Sequence, residues 1–369
     1  MSKTVKLSEI LKKYSDLVTH FSGPEDCEII KPCAMEAPQT KSIVYISKNE
    51  FIKPCIENGV SVIVIPETLK EFIPENSPLT VLIAPNTHVA MALINSTFFP
   101  TTEAPTEFDS HSIHPTAVIS VKANIANNVI IGPNVVIEEE VNIESGVKIS
   151  ANTTIRHHSH IGTNTIIGAN TVIEPYVKIA SDVILHSQVL IGHHCELGEK
   201  CIIQSQSTIG SEGYGYATDK QNKHYHKPHY GRVILHERVE IGAGVLVDRG
   251  AYLDSVIGEG TKVDNYCHLG HNLKIGKNCL ITAGMITAGS VTIGDNCIFA
   301  GRVIVNGHIS ITDNVIVGPL AGISNSITKP GQYGGYPLQS YKESIKTTAT
   351  LRHLTQLVKD VRKLKKHND

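Results

Sequence analysis

Three positions spaced by eighteen residues, His271, Gly289 and Gly307, with His308 beside the last, carry the parts that acyl transfer to an amine requires. A histidine can take the proton from the attacking nucleophile. An accessible glycine amide can donate to the oxyanion of a tetrahedral intermediate. A second histidine can steady that charge or the leaving thiolate. The chain holds 19 histidines, so spacing alone also fits surface residues without a role. The clusters Arg156-His157-His158-Ser159-His160, His193-His194 and His224-Tyr225-His226 offer further imidazoles. They lack thiolates, and carboxylates at helical spacing, that would complete a metal shell. No metal site is expected.

What must position these groups is a repeat. From Ile113 to Ile209, every sixth residue is Ile or Leu. The residue two before each is small or β-branched, as in Ala117, Val129, Thr153 and Ser159, and a glycine often follows. The period resumes with Ile241, Val247 and Leu253, slips by four residues to Ile257, and runs on to Ile323. Six residues match neither a helix nor a simple alternating strand. They match a solenoid of three short strands per coil, with the aliphatic and its small neighbour pointing inward. The glycines are expected at the corners. On such a prism His271, Gly289 and His308 line one edge, about 5 Å apart per coil. Cys195, Cys201, Cys267, Cys279 and Cys297 fall at the small inward position and read as buried hydrophobes. The polar, aromatic stretch 211–232 breaks the pattern and is expected as an extruded loop.

The flanks differ. Residues 1–105 lack the repeat; SIVYIS (42–47), VSVIVI (60–65) and LTVLIAP (79–85) read as strands, and LSEILKKY, NEFIKPCIENG and THVAMALINSTFF as helices. Strands alternating with helices indicate a small α/β domain. A Pro- and Thr-rich linker is expected at 99–110, the solenoid over 106–330, and a helical extension over 331–369. The last segment is basic, with Arg362, Lys363, Lys365 and Lys366 near its end. The formal net charge of -2 gives no global field for nucleic acid. Hydrophobic residues at 41% exclude wholesale disorder. No apolar run reaches about 18 residues, so no membrane span is expected. The charged start MSKTVKLSEILKKY is unlike a signal peptide, and a cytoplasmic location is expected. The eight cysteines form no CxxC pair.

The runs VDNYCHLGHN (263–272), GYGYATD (213–219), VDRGAYLDSVIG (247–258), ITAGSVTIGD (286–295), VNGHISITD (305–313) and SITKPGQYGGYPLQS (326–340) resemble the UDP-3-O-(3-hydroxyacyl)glucosamine N-acyltransferases of lipid A biosynthesis. The resemblance spans nearly the whole chain. It implies a mainly β fold, a left-handed parallel β-helix with an N-terminal α/β domain that binds the uridine nucleotide and C-terminal helices, assembled as a homotrimer with its sites between prisms. It implies transfer of a 3-hydroxyacyl group from acyl carrier protein to the 2-amine of a UDP-glucosamine-derived lipid. The acyl group arrives on phosphopantetheine, and no separate cofactor is implied. By the same resemblance His271 is the general base, Asp264 the carboxylate that orients it, Gly289 the oxyanion donor and His308 the second active-site histidine. Asn272 and His268 are implied in substrate binding, His268 standing where the family often has Gln. Tyr45 and Phe51 are implied in stacking the uracil, although Lys48 and Asn49 replace the family's Asn and Pro between them. Gly322 matches a position where a larger residue can stop the acyl chain. The basic residues 362, 363, 365 and 366 are implied in carrier-protein docking. Two other readings share the prism: a sugar-nucleotide N-acetyltransferase using acetyl-CoA, and a non-catalytic assembly scaffold.

Overall fold

The structure, a computed structural model, describes residues 4–100, 113–335 and 341–366, the last with side chains for 345–364. Most of the linker expected at 99–110, and the side chains of Lys365 and Lys366, lie outside the described residues. The chain divides into two compact units, Met1–Glu103 and Ala104–Asp369. Among the described residues no helix is long and apolar enough to cross a membrane.

In the first unit, strands run in the order Thr19–Ser22, Thr80–Ile83, Val62–Ile65, Ser42–Tyr45 and Lys31–Cys33. Only the first pairing is antiparallel. Val62–Ile65 is buried along its length, as a central parallel strand covered on both faces must be. Helix Thr87–Phe98 starts where Asn86 caps it, its Oδ1 accepting from His88 N and Val89 N at 3.1 Å each. Pro54 is the third residue of helix Ile52–Glu57. It sits in the first turn, where a missing N–H costs no helical bond.

The second unit is a parallel β-helix. Two-residue strands stack in parallel sheets of eleven, eleven and ten strands. The usual register steps by one coil of eighteen residues, as in Leu269↔Thr287 and Thr287↔Val305. The aliphatic hexad positions and their small neighbours form one continuous core from Val129 to Ile323. Each buried Ile or Leu contributes about 1.5–3 kcal/mol relative to exposure. The five inward cysteines are buried and unpaired.

The corners are made differently from the sequence expectation. The left-handed residue is the third after the aliphatic, as in Asn134, His158, Asn164, Tyr176, Asn272 and His308, with φ of 56–62°. Asn is among the residues that tolerate this conformation best. Glycines that directly follow the aliphatic serve close packing instead. A Cβ on Gly162 would lie 2.6 Å from Ala180 C of the next coil.

The repeat also gives way at Leu253, which is 70% exposed. The chain leaves strand Leu246–Asp248 and re-enters at Ser255–Ile257, so that coil is longer and Leu246 pairs with His268. The excluded stretch 211–232 is not irregular throughout. It contains an antiparallel hairpin, Tyr216–Thr218 with His224–His226. Its turn is held by Asp219 Oδ1, which accepts from Gln221 N and Lys223 N at 2.9 Å each.

Outward side chains distinguish the three faces. The first face shows Ile166, Ile184, Ile202, Leu280, Ile298 and Ile316. The second shows Leu190, Leu246, His268, Ile286, Ile304 and Gly322. The third shows Asn142, His160, Lys178, Glu196, Lys274, Thr292 and Ser310. Two faces are thus largely apolar and one polar.

Candidate active site

His271 follows the second-face strand His268–Leu269, at the corner from which the chain turns into the third-face strand Lys274–Ile275. Stacking fixes this corner. Ser290 N donates to His271 O at 2.7 Å, and His308 N donates to Gly289 O at 3.2 Å. Asn272, Ser290 and His308 therefore form one column of left-handed corner residues. His271, Gly289 and Gly307 form the column beside it.

The His271 ring is set by its neighbours. Asn272 Nδ2 lies 3.1 Å from His271 Nδ1, and Ala251 N donates to Asn272 Oδ1 at 2.8 Å. Asn272 thus fixes the plane of the ring. The ring lies over Gly289, where a Cβ would overlap it. Among the described residues no backbone acceptor takes the Gly289 N–H. Gly213, at the start of the extruded stretch, also packs on His271; a Cβ there would fall 2.7 Å from His271 Cβ. The buried His229 ring meets His271 edge-on at 5.3 Å between centroids.

Electrostatics keep His271 neutral. Burial pushes its pKa below the ordinary histidine value, and the nearby His229, His308 and Lys227 add to the effect, while Asp248 opposes it. Asp248 is 5% exposed, accepts from Ser211 Oγ at 2.8 Å, and lies 3.1 Å from His268 Nε2. That hydrogen bond holds the His268 pKa above its ordinary value. A base with a depressed pKa stays unprotonated to lower pH. The acid limb of kcat/KM is therefore expected below pH 6.5, the unperturbed histidine value. Asp248→Asn removes the charge that favours imidazolium and should move the limb lower still. A pH–rate profile of the two proteins checks both; a limb above that value would contradict the assignment of His271 as base.

The structure brings His271, Gly289, His308, Asn272 and His268 together. It does not bring Asp264 to them. Asp264 follows the first-face strand Lys262–Val263 and stands at the preceding corner of the prism. Its oxygens accept from Asn265 N at 2.7 Å and Ala283 N at 3.1 Å. Within one chain the carboxylate that bears on His271 is Asp248. The longer coil hid it, because the step from Leu246 to His268 is not one repeat. His229 lay in the extruded stretch, where no period assigns a position.

Gly322 ends an outward strip of the second face. A groove of about 510 Å³ runs along His268, Ile286, Ala288, Ile304 and Asn306 to Gly322 and Ser324. Nothing lies within 4 Å of a Cβ placed on Gly322. Tyr45 and Phe51 belong to the first unit. Tyr45 packs against the core on one side of the sheet, its hydroxyl donating to Asn95 Oδ1 at 3.0 Å. Phe51 packs against the core on the other side. Strand alternation separates them, so the two rings form no shared slot. Arg362 and Lys363 are exposed on helix Tyr341–Lys366.

Comparison with known proteins agrees with this arrangement. The family model for the bacterial transferase hexapeptide (six repeats) matches residues 140–175 and 254–284. The chain is 33% identical over 365 residues to a UDP-3-O-acylglucosamine N-acyltransferase of Methylococcus capsulatus, covering 98% of this chain and 97% of that one. It is 47% identical over 163 residues to the protein of that name from Dechloromonas aromatica, covering 44% and 47%. A solved Arabidopsis UDP-N-acetylglucosamine acyltransferase aligns over 61% of this chain and 71% of its own, with 22% identity and a TM-score of 0.44.

Proposed function

The chain belongs to the UDP-3-O-acylglucosamine N-acyltransferase family, and we propose that it moves a 3-hydroxyacyl group from acyl carrier protein to the 2-amine of UDP-3-O-(3-hydroxyacyl)glucosamine. It is an acyltransferase of lipid A biosynthesis. The observation that carries the finer reading is the join of two features: the His271, Gly289 and His308 corner opens onto the apolar strip Ile286, Ile304 and Gly322.

The chemistry follows from that corner. Neutral His271 takes the proton as the amine attacks the thioester carbonyl. A C–N bond forms, and the carbonyl electron pair moves to oxygen. The Gly289 N–H donates to that oxyanion. Collapse of the intermediate breaks the C–S bond and expels the phosphopantetheine thiolate, which regains a proton from the His271 imidazolium. His308, one coil on, steadies the charge that develops. The acyl chain lies along the second-face strip.

Two largely apolar faces support a homotrimer, in which prisms cover one another. The helix Tyr341–Lys366 adds to this, since Leu351, Leu354, Val358 and Val361 form a stripe that one chain leaves exposed. The same helix ends in basic residues that suit an acidic carrier protein.

The deciding experiment supplies the purified protein with UDP-3-O-(3-hydroxyacyl)glucosamine and either 3-hydroxyacyl carrier protein or acetyl-CoA. Product is expected only with the carrier protein; product from acetyl-CoA alone would favour the N-acetyltransferase. Arg362→Glu with Lys363→Glu should raise KM for the carrier donor, most at low salt. An unchanged KM would leave these residues as a solvated face.

Gly322 sets a further expectation. A methionine there has room to project without disturbing the coil, and so to close the end of the strip. Each methylene that loses its burial costs about 0.8 kcal/mol. Gly322→Met is expected to shift the kcat/KM optimum to shorter acyl chains in a chain-length series. An unchanged optimum would place the acyl terminus elsewhere.

A further inference from the structure

The extruded stretch carries a group that the transfer reaction does not use. Glu212, His226 and His229 bring one carboxylate oxygen and two imidazole nitrogens within 4.8 Å of one another, the one such trio among the described residues. His226 Nε2 lies 2.9 Å from Glu212 Oε2, and His229 N donates to Glu212 Oε1 at 3.2 Å. The hairpin produces the meeting, since its second strand returns His226 toward the entry residue Glu212. His229 is 4% exposed, and neither of its ring nitrogens has a hydrogen-bond partner. A buried imidazole left in that state is costly. Its edge-on contact with His271 holds the ring in place. Glu212 and His226 are exposed and free to turn toward it.

We propose that Glu212, His226 and His229 bind a divalent transition-metal ion of the zinc class, which clamps the extruded hairpin onto the prism beside His271. Two imidazoles and one carboxylate favour zinc, cobalt or nickel over magnesium or calcium. A set of two His and one Glu leaves a fourth position for water. Bonds of about 2.0–2.2 Å place tetrahedral donors roughly 3.3 Å apart, a contraction that rotation of two exposed side chains supplies. The ion would satisfy a nitrogen of His229 and tie the entry, the second strand and the exit of the hairpin to one point. The site rests on the geometry of this stretch alone, so it stands or falls separately from the identity of the acyl donor.

The test uses the full chain, stripped with EDTA and titrated with Zn²⁺ and, separately, Co²⁺. Zn²⁺ is expected to bind at one ion per chain, and Co²⁺ to develop the strong visible absorption of a four-coordinate site. Glu212→Gln and His226→Gln, both at exposed positions, should each weaken binding at least about 10-fold. His194→Gln, on a distant exposed corner, should leave it unchanged. Zn²⁺ should also slow hydrogen exchange in the peptide 212–230 of the wild type and not of Glu212→Gln. Absence of saturable Zn²⁺ binding at micromolar concentration would overturn the proposal, as would an equal affinity in the wild type and both variants.

Discussion

Replacing His271 by Ala is expected to lower turnover by at least about 100-fold, since a positioned general base contributes on the order of 10²–10⁴. No neighbour can take over its task. Asn272 and Ser290 hold no proton acceptor of suitable basicity, and His268 is committed to Asp248 at 3.1 Å. His308 sits one coil further along the axis. The fold is expected to survive. The His271 side chain lies outside the aliphatic core, and the corner is held by its backbone oxygen, which accepts from Ser290 N. Sedimentation at the mass of three chains, with kcat measured under saturating donor, checks both halves. A variant of unchanged mass and near-wild-type turnover would remove His271 from the mechanism.

Gly289→Ala is expected to be nearly as damaging to turnover, again by about 100-fold, with little change in melting temperature. The reason is geometric. The added Cβ would overlap the His271 ring, the far end of a side chain and not a backbone wall. The coil can accept the methyl by pushing that ring aside, so stability is largely spared. Catalysis is not, because the base leaves its position over the oxyanion donor, and a misplacement of about 1 Å can cost on the order of 100-fold. The comparison that isolates this effect is Gly307→Ala, one coil on, where a Cβ would meet Gly289 O at 3.1 Å and no ring. That variant should keep much more activity. Equal losses in the two would mean that the methyl acts through the coil backbone.

The parts of this molecule that were legible in the sequence are those governed by a short period. Inward Ile and Leu every sixth residue fixed the coil, and from it the meeting of His271, Gly289 and His308, because parallel stacking repeats one register. Leu253 shows where that logic stops. It kept the period but lies in a widened corner, 70% exposed. The same widening concealed Asp248, which reaches His268 only because its coil is longer than the others. Asp264 shows the reverse error: a position seven residues before His271 is near in sequence, yet one strand and one corner away on the prism. The corner residues were missed because the left-handed conformation is spread over Asn, His, Tyr, Gln and Lys, with no single residue type to mark it. Glu212, His226 and His229 meet through a hairpin whose pairing depends on tertiary folding and carries no repeat.

The stacked register has a consequence for how the length of this chain can change over evolutionary time. Each coil bonds only to the coils before and after it, so the prism works as a counter read modulo eighteen residues. Removing a whole coil between Gly289 and His308 would draw the active-site column together by about 4.8 Å and leave every residue on its own corner. Removing a single hexad there would instead rotate all that follows by one third of a turn. His308 would move to a different edge, and the outward Ile304 and Gly322 to a different face, although every inward aliphatic stayed inward. Such a deletion would be nearly silent in the core and decisive at the site. Additions confined to a corner escape the count, as the widened coil between Val247 and Leu269 shows, since the chain leaves and rejoins the same stack. Length variation compatible with activity is therefore expected as whole coils or as corner excursions, and not as isolated hexads.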